Sequence, residues 1–265
     1  MDRRADTNGI RTRYRLAGKV GAPVVMLSHG LAADLTMWEP QLDLLSRSFD
    51  VLTYDIRGHG GSSGTPGDYS LALLAHDALA LLDHLGIDRA HYVGLSLGGM
   101  IGQQLGAWHG ERLVSLTLCA TTSDAPKASW DARMREAREA GVASLADATV
   151  ERWVTPAFRR DQPELMAKMR AMVLGTSLEG YAGSAAAIRD MELAAVLDRI
   201  AVPTLVIAGE EDASTPLQVL EQIARAIPGA RLLRVAQAAH MPTMERPEVC
   251  NPALERFLLA CSRQQ

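Results

Sequence analysis

The sequence predicts an α/β protein, a mostly parallel sheet flanked by helices. Three observations carry this. Short β-branched apolar runs alternate with helix-period segments through residues 23–121. The alternation resumes at residue 202. Between them, over 124–195, strand-like runs vanish and helical spacing takes over. A helical insert in that place reads as a lid over the carboxyl edge of the sheet, where open parallel sheets bind ligands. The predicted units are therefore a core of residues 1–123 and 196–265 and a lid of residues 124–195.

Each element has its own signal. "PVVMLSHG" (23–30) is a short apolar run ending at His-Gly, as a buried strand does. "TMWEPQLDLLSRS" (36–48) spaces Trp38, Leu42 and Leu45 as a helix face. "FDVLTYD" (49–55) reads as a strand, and the glycine-rich "IRGHGGSSGTPGD" (56–68) as a loop. "SLALLAHDALALLDHLG" (70–86) is a helix that serine caps and Gly86 ends. "AHYVGL" (90–95) is a strand, "LGGMIGQQLGAWHG" (97–110) a helix with small residues on one face, and "LVSLTLCAT" (113–121) a strand. After the insert come a strand in "VPTLVIAGEED" (202–212), a helix in "PLQVLEQIARAIPG" (216–229), a strand and loop in "ARLLRVAQAAH" (230–240), and a closing helix in "PEVCNPALERFLLACS" (247–262). No element is assigned to the first 22 residues.

Composition narrows the function. A chain of 265 residues with net charge −4 and no massed Arg/Lys run points away from nucleic acid and anionic membrane as partners. No apolar stretch is long enough to span a membrane, and the basic start "MDRRADTNGIRTRYRLAG" has no apolar run behind it, unlike a secretory leader. Cys119, Cys250 and Cys261 are odd in number and lack CxxC spacing, which argues against a disulfide framework or zinc site and for a reducing, cytoplasmic setting. With no HExxH or Cys/His cluster, and no GxGxxG opening a helix, neither metal nor cofactor is expected. No residue pattern forces a homo-oligomer, although a sheet edge or lid face would support one.

The chemistry concentrates at Gly94-Leu95-Ser96-Leu97-Gly98. G-x-S-x-G between a strand and a helix describes a serine on a sharp turn, with glycines where side chains would collide with crossing backbone. A nucleophilic serine needs a base and a group that orients it. Asp212 lies just past the strand "TLVIAG", and His240 follows "RLLRVA", so all three project at one sheet edge in the chain order serine, acid, histidine. Glu210, Glu211 and Asp124 are rival acids. His59, His76, His84, His91 and His109 lack a late strand-end position and read as structural or surface residues; His29 reads as shaping its turn. The N–H groups of Leu31 and Leu97 are the expected oxyanion hole.

Together, "SHGLA", "YDIRGHGGSS", "GLSLGGMIGQ", "PTLVIAGEEDASTP" and "AAHMPTMERPE" resemble the α/β-hydrolase superfamily over nearly the whole chain. The resemblance implies that fold with the lid inserted after the sixth strand. Serine at 96 departs from relatives with aspartate there, such as haloalkane dehalogenases and epoxide hydrolases. "LTMWEPQ" (35–41), "ERWVTPAF" (151–158) and "EGYAGSAAAIRDMEL" (179–193) look more narrowly like 3-oxoadipate enol-lactonases, which open an enol-lactone in aromatic breakdown. Where those enzymes often carry Ser-Asn-Ser, this chain has Ser28-His29-Gly30.

That resemblance implies a small lactone or ester substrate bearing a carboxylate, which calls for arginine or backbone donors beside an apolar pocket. Arg133 is the first candidate, sharing a helix face with Trp130 at i, i+3, the alternative being a solvated helix face on which Arg133, Arg135 and Arg138 alternate with Glu136 and Glu139; Arg189 is the second, with a salt bridge to Asp190 or Glu192 as its structural alternative. Trp38 and Trp153 are expected beside them, with core packing as the alternative; the stripe Met166, Met169, Met172 and Val173 reads first as core. A general carboxylesterase, another lactonase, or a carbon–carbon bond hydrolase would use the same three catalytic residues, and a ligand receptor on this scaffold could retain them.

Overall fold

The computed structural model describes residues 1–263. Eight strands form one sheet in the order β1-β2-β4-β3-β5-β6-β7-β8: β1 (Arg3–Thr7), β2 (Ile10–Gly18), β3 (Val24–Ser28), β4 (Asp50–Tyr54), β5 (Ala90–Leu95), β6 (Leu113–Cys119), β7 (Thr204–Gly209) and β8 (Arg231–Val235). β3 through β8 pair in parallel; β2 runs antiparallel to both β1 and β4. The expected mostly parallel sheet is present, with an added hairpin.

That hairpin, β1–β2, is the element the sequence analysis leaves unassigned. Its turn is Asn8-Gly9, with φ of 46° and 76°. Both central residues thus take the positive φ of a tight hairpin turn whose twist suits the flanking strands. Arg-rich strands hide an alternation in which Ala5, Thr7, Ile10, Thr12 and Tyr14 are buried.

Successive residues of the central strands enter opposite cores. Val25 and Leu27, Val93 and Leu95, Leu205 and Ile207 join one cluster; Met26, Tyr92, Val206 and Ala208 join the other. A strand buried on both faces needs a continuous apolar run, which is why these segments carry no polar alternation. The chain leaves β3 toward β4 on one side and later adds β5 on the other, so the order reverses between β3 and β5. Their register, Ser28 opposite Gly94, brings the segments after both carboxyl ends to one crevice.

The helices that precede the insert are α1 (Glu39–Leu45), entered from a 3₁₀ turn at Leu35–Trp38, α2 (Leu71–His84) and α3 (Leu97–Trp108). Ser70 caps α2 by accepting from the Leu73 N–H, as its sequence predicts. Between β6 and β7 lie α4 (Lys127–Ala140), α5 (Ala146–Trp153), α6 (Pro156–Asp161), α7 (Pro163–Leu174) and α8 (Leu178–Arg189). The last three are α9 (Leu217–Ala226), the short α10 (Pro242–Glu245) and α11 (Pro247–Ser262).

The insert docks by backbone proximity. A Cβ on Gly58 would lie 2.3 Å from Gly180 Cα, and one on Gly180 would lie 2.2 Å from Gly58 O. Only glycine at both positions lets α8 rest on the glycine-rich loop. The Ser177 N–H donates to Gly58 O at 2.9 Å, and the Ser177 hydroxyl at 3.0 Å. Asp55 organises the same loop, accepting from the N–H groups of Gly61 (2.7 Å) and Leu35 (2.8 Å). No helix among the described residues is long and apolar enough to cross a membrane.

Candidate active site

Ser96 sits between β5 and α3 with φ 53° and ψ −112°, a conformation that costs a non-glycine residue energy and persists only when its surroundings enforce it. Here they do. The Ser96 N–H is held by Cys119 O at 2.9 Å and the Gly98 N–H by His29 O at 3.0 Å. A Cβ on Gly94 would lie 2.1 Å from Gly98 O, and a Cβ on Gly98 would lie 2.2 Å from Ser28 O. Both glycines of the motif are thus required by close backbone approach.

Asp212 and His240 come together from the ends of β7 and β8. His240 Nδ1 lies 2.8 Å from Asp212 Oδ2, with both residues buried. An ionised carboxylate only accepts, so Nδ1 carries the proton and Nε2 keeps its lone pair. Asp212 also accepts at Oδ1 from the N–H groups of Ser214 (2.7 Å) and Thr215 (3.0 Å), and at Oδ2 from the Thr215 hydroxyl. Burial works to raise the Asp212 pKa. Attraction to His240 in its protonated form, with the hydrogen bonds from His240 and Thr215, outweighs burial and holds it below the ordinary value. The rival acids do not share this geometry: Glu210, Glu211 and Asp124 are exposed.

Ser96 and His240 line one cavity of about 450 Å³ with Leu31, Trp130, Arg133 and Trp153. Among the described residues, the N–H groups of Leu31 and Leu97 have no hydrogen-bond acceptor, so both remain free to donate. Arg133 lies with its guanidinium carbon 4.8 Å from the Trp130 ring centroid. Stacking of this kind fixes a guanidinium without consuming its donors.

Arg152, Thr149 and Tyr181 also line the cavity and are absent from the sequence-derived candidates. A signal existed: Thr149, Arg152 and Trp153 share one face of α5 by i, i+3, i+4 spacing. Among the described residues, neither Arg133 nor Arg152 forms a salt bridge; the side-chain bond of Arg152 is a long one, 3.4 Å to the Thr149 hydroxyl. Burial and the neighbouring positive charge of Arg133 lower the Arg152 pKa. Asp124, at the cavity wall, accepts from the Ala125 N–H instead.

Three expectations need correction or resolution. Trp38 does not reach the cavity; it is 0% exposed within the core, with its indole N–H unpartnered. The 3₁₀ turn at Leu35–Trp38 carries it inward, whereas the helix-face spacing left its direction open. Arg189 is occupied by Asp190, Asp68 and Asp131, so its structural alternative holds. Met169, Met172 and Val173 are core residues, against which Met166 packs.

Of the remaining histidines, His29, His59 and His91 are buried, while His76 and His84 lie at the surface. His29 Nε2 accepts from the Ile56 N–H at 2.9 Å, so Nδ1 carries the proton and donates to Gly30 O at 2.7 Å. That shapes the turn after β3, as predicted. Burial pushes the pKa of His29 down to about 4 and that of His59 down to about 3. Among the described residues, no group of three or more His, Cys, Asp or Glu is arranged to hold a metal ion.

Residues 23–247 match the family model of the alpha/beta hydrolase fold. The chain is 34% identical over 250 residues to 3-oxoadipate enol-lactonase 2 of Acinetobacter baylyi, covering 94% of this chain and 93% of that protein. It is 31% identical to a putative carbamate hydrolase, RutD, of Caulobacter segnis, covering 90% and 92%. The crystal structure of the enol-lactonase from Burkholderia xenovorans LB400 superposes with a TM-score of 0.95 at 37% identity, covering 97% of this chain and 100% of that one.

Proposed function

The chain is a hydrolase belonging to the α/β-hydrolase fold family, and we propose that its reaction is the opening of 3-oxoadipate enol-lactone through a Ser96–His240–Asp212 acyl-enzyme. The observation that carries this is one cavity holding Ser96, His240 and two arginines without carboxylate partners. The first pair suits acyl transfer; the second suits a substrate that brings its own anion.

In this mechanism His240 Nε2 takes the Ser96 hydroxyl proton as Oγ attacks the ring carbonyl. The N–H groups of Leu31 and Leu97 stabilise the oxyanion. The ring C–O bond then breaks, the acyl group stays on Ser96, and the enol oxygen accepts the proton from His240 and tautomerises to a ketone. Water, deprotonated by His240, attacks the acyl-enzyme; the bond between the acyl carbon and Ser96 Oγ breaks as His240 returns that proton to Oγ, and the second carboxylic acid is released and ionises. Asp212 holds the imidazole tautomer and balances its charge in both halves. Arg133 and Arg152 bind the carboxylate that the lactone already carries, with Trp130 and Trp153 as apolar walls. The insert, residues 124–195, is the lid that supplies this specificity; residues 1–123 and 196–265 supply the chemistry.

A general carboxylesterase would use the same triad but gains nothing from paired arginines. The test is ultraviolet loss of the enol-lactone beside hydrolysis of p-nitrophenyl acetate, with Ser96→Ala as control. Ser96-dependent opening with kcat/KM well above that for the ester supports the lactonase. Ester cleavage without lactone opening refutes the substrate and leaves an esterase.

A further inference from the structure

A buried carboxylate outside the triad ties the histidine loop to the insert. Glu245, at the end of α10, is 7% exposed. Its Oε1 accepts from the Ala239 N–H at 2.6 Å, and its Oε2 from the Thr155 N–H at 2.8 Å. Ala239 directly precedes His240. Thr155 caps α6, two residues past the cavity-wall residue Trp153. On the other side of the histidine, the Met241 N–H donates to Trp153 O at 2.9 Å. The peptide N–H groups on both sides of His240 are therefore fastened to the Trp153–Thr155 joint, one directly and one through Glu245.

Burial is the larger influence on Glu245 and raises its pKa against the two backbone bonds that lower it; Glu211 adds a further raising charge. Arg246 beside it is turned away, bonded to Glu248, Gln237 and the Ala236 carbonyl. A carboxylate kept in such surroundings costs desolvation and is compensated only while both backbone donors are held in place.

We infer that Glu245 is a positioning residue: it locks the His240 loop to the α5–α6 joint, so that the base and the Trp153 wall of the substrate cavity keep a fixed relation. This rests on His240 being the base. Glu245 touches neither substrate nor imidazole. Its effect is on where the imidazole stands, so it bears on kcat rather than on binding.

Two variants test this by different routes. Glu245→Gln leaves one accepting oxygen and opposes an NH₂ to the other N–H. Thr155→Pro deletes the second donor, together with the hydroxyl that caps α6 through the Phe158 N–H, at a residue whose φ of −65° already suits proline, after Val154 in an extended conformation. Hydrolysis of p-nitrophenyl acetate is measured per active site, counted by stoichiometric fluorophosphonate labelling, with thermal unfolding alongside. The downfield proton resonance of the His240 Nδ1–H is followed in the same variants. The expected result is a loss of about tenfold in kcat per labelled site for Glu245→Gln, with KM within about twofold, and a shifted or broadened resonance. Thr155→Pro should show the same split, to a smaller extent. Lowered melting temperature with unchanged kcat per labelled site and unchanged resonance would overturn the inference, leaving Glu245 a purely structural group. Full ester turnover in a His240→Ala control would instead overturn the base assignment beneath it.

Discussion

The carboxyl edge of the sheet and the helical insert wall the same cavity but are built by different rules. At the edge, backbone geometry does the specifying: Gly94 and Gly98 leave no room for a Cβ, Ser96 is held at positive φ, and Asp212 is fixed by four hydrogen bonds. In the insert, side chains do it: Trp130, Arg133, Arg152 and Trp153 project from ordinary helices that would accept many other residues. Chemistry should therefore be intolerant of change at the edge, while the insert can be altered to change what is hydrolysed without ending hydrolysis.

Ser96→Ala should separate the two regions most sharply. Removing the proposed nucleophile is expected to cut kcat on the order of 10⁴–10⁶-fold for lactone and simple ester alike. Initial rates at saturating substrate measure it; residual turnover within tenfold of the parent would place the nucleophile elsewhere. Gly98→Ala comes next, because its Cβ would meet the Ser28 carbonyl and force backbone to move. Urea unfolding should show a loss of about 2–4 kcal/mol, and an unchanged midpoint would mean that the elbow is looser than described.

Arg133→Met asks whether the insert selects substrate. A lost charged hydrogen bond of about 1.5–3 kcal/mol should lower kcat/KM for the carboxylated lactone roughly 10–100-fold, with p-nitrophenyl acetate within about threefold. Arg152→Met should follow the same pattern at about tenfold or less, since that side chain is more exposed. Equal losses on both substrates would dissolve the division of labour between edge and insert.

The smallest effect concerns pH. His29, His59 and His91 are buried, and burial lowers their pKa values from 6.5 to about 4, about 3 and about 4. Below 6.5 the unfolded chain takes up protons that the folded chain refuses. Their contribution to stability is thus complete above 6.5 and drains away as pH falls toward 4. Urea midpoints between pH 7 and 5 should fall, and His59→Gln should flatten that slope; an unaltered slope would point to other groups.

The same division explains what was legible beforehand. The apolar runs of β3, β5, β6 and β7, the serine between its glycines, and the acid and histidine after late strands all follow from rules that act locally on sequence. Asn8-Gly9 was equally local, but the charged residues around it masked the hairpin. The insert resisted because direction matters there. Spacing could place Trp130 beside Arg133, yet it could not tell that Arg189 meets three aspartates, that Trp38 turns into the core, or that Arg152 joins the cavity. Gly180 is instructive: it belongs to the segment that most resembles enol-lactonases, yet its role is to let α8 touch Gly58.

The most direct test is a single comparison, purified protein on 3-oxoadipate enol-lactone and on the analogous lactone whose carboxylate is a neutral amide, each with and without Ser96→Ala. The expected result is Ser96-dependent opening of both, with kcat/KM for the carboxylate about 100-fold higher. Equal rates on the two lactones, or opening that survives Ser96→Ala, would contradict it.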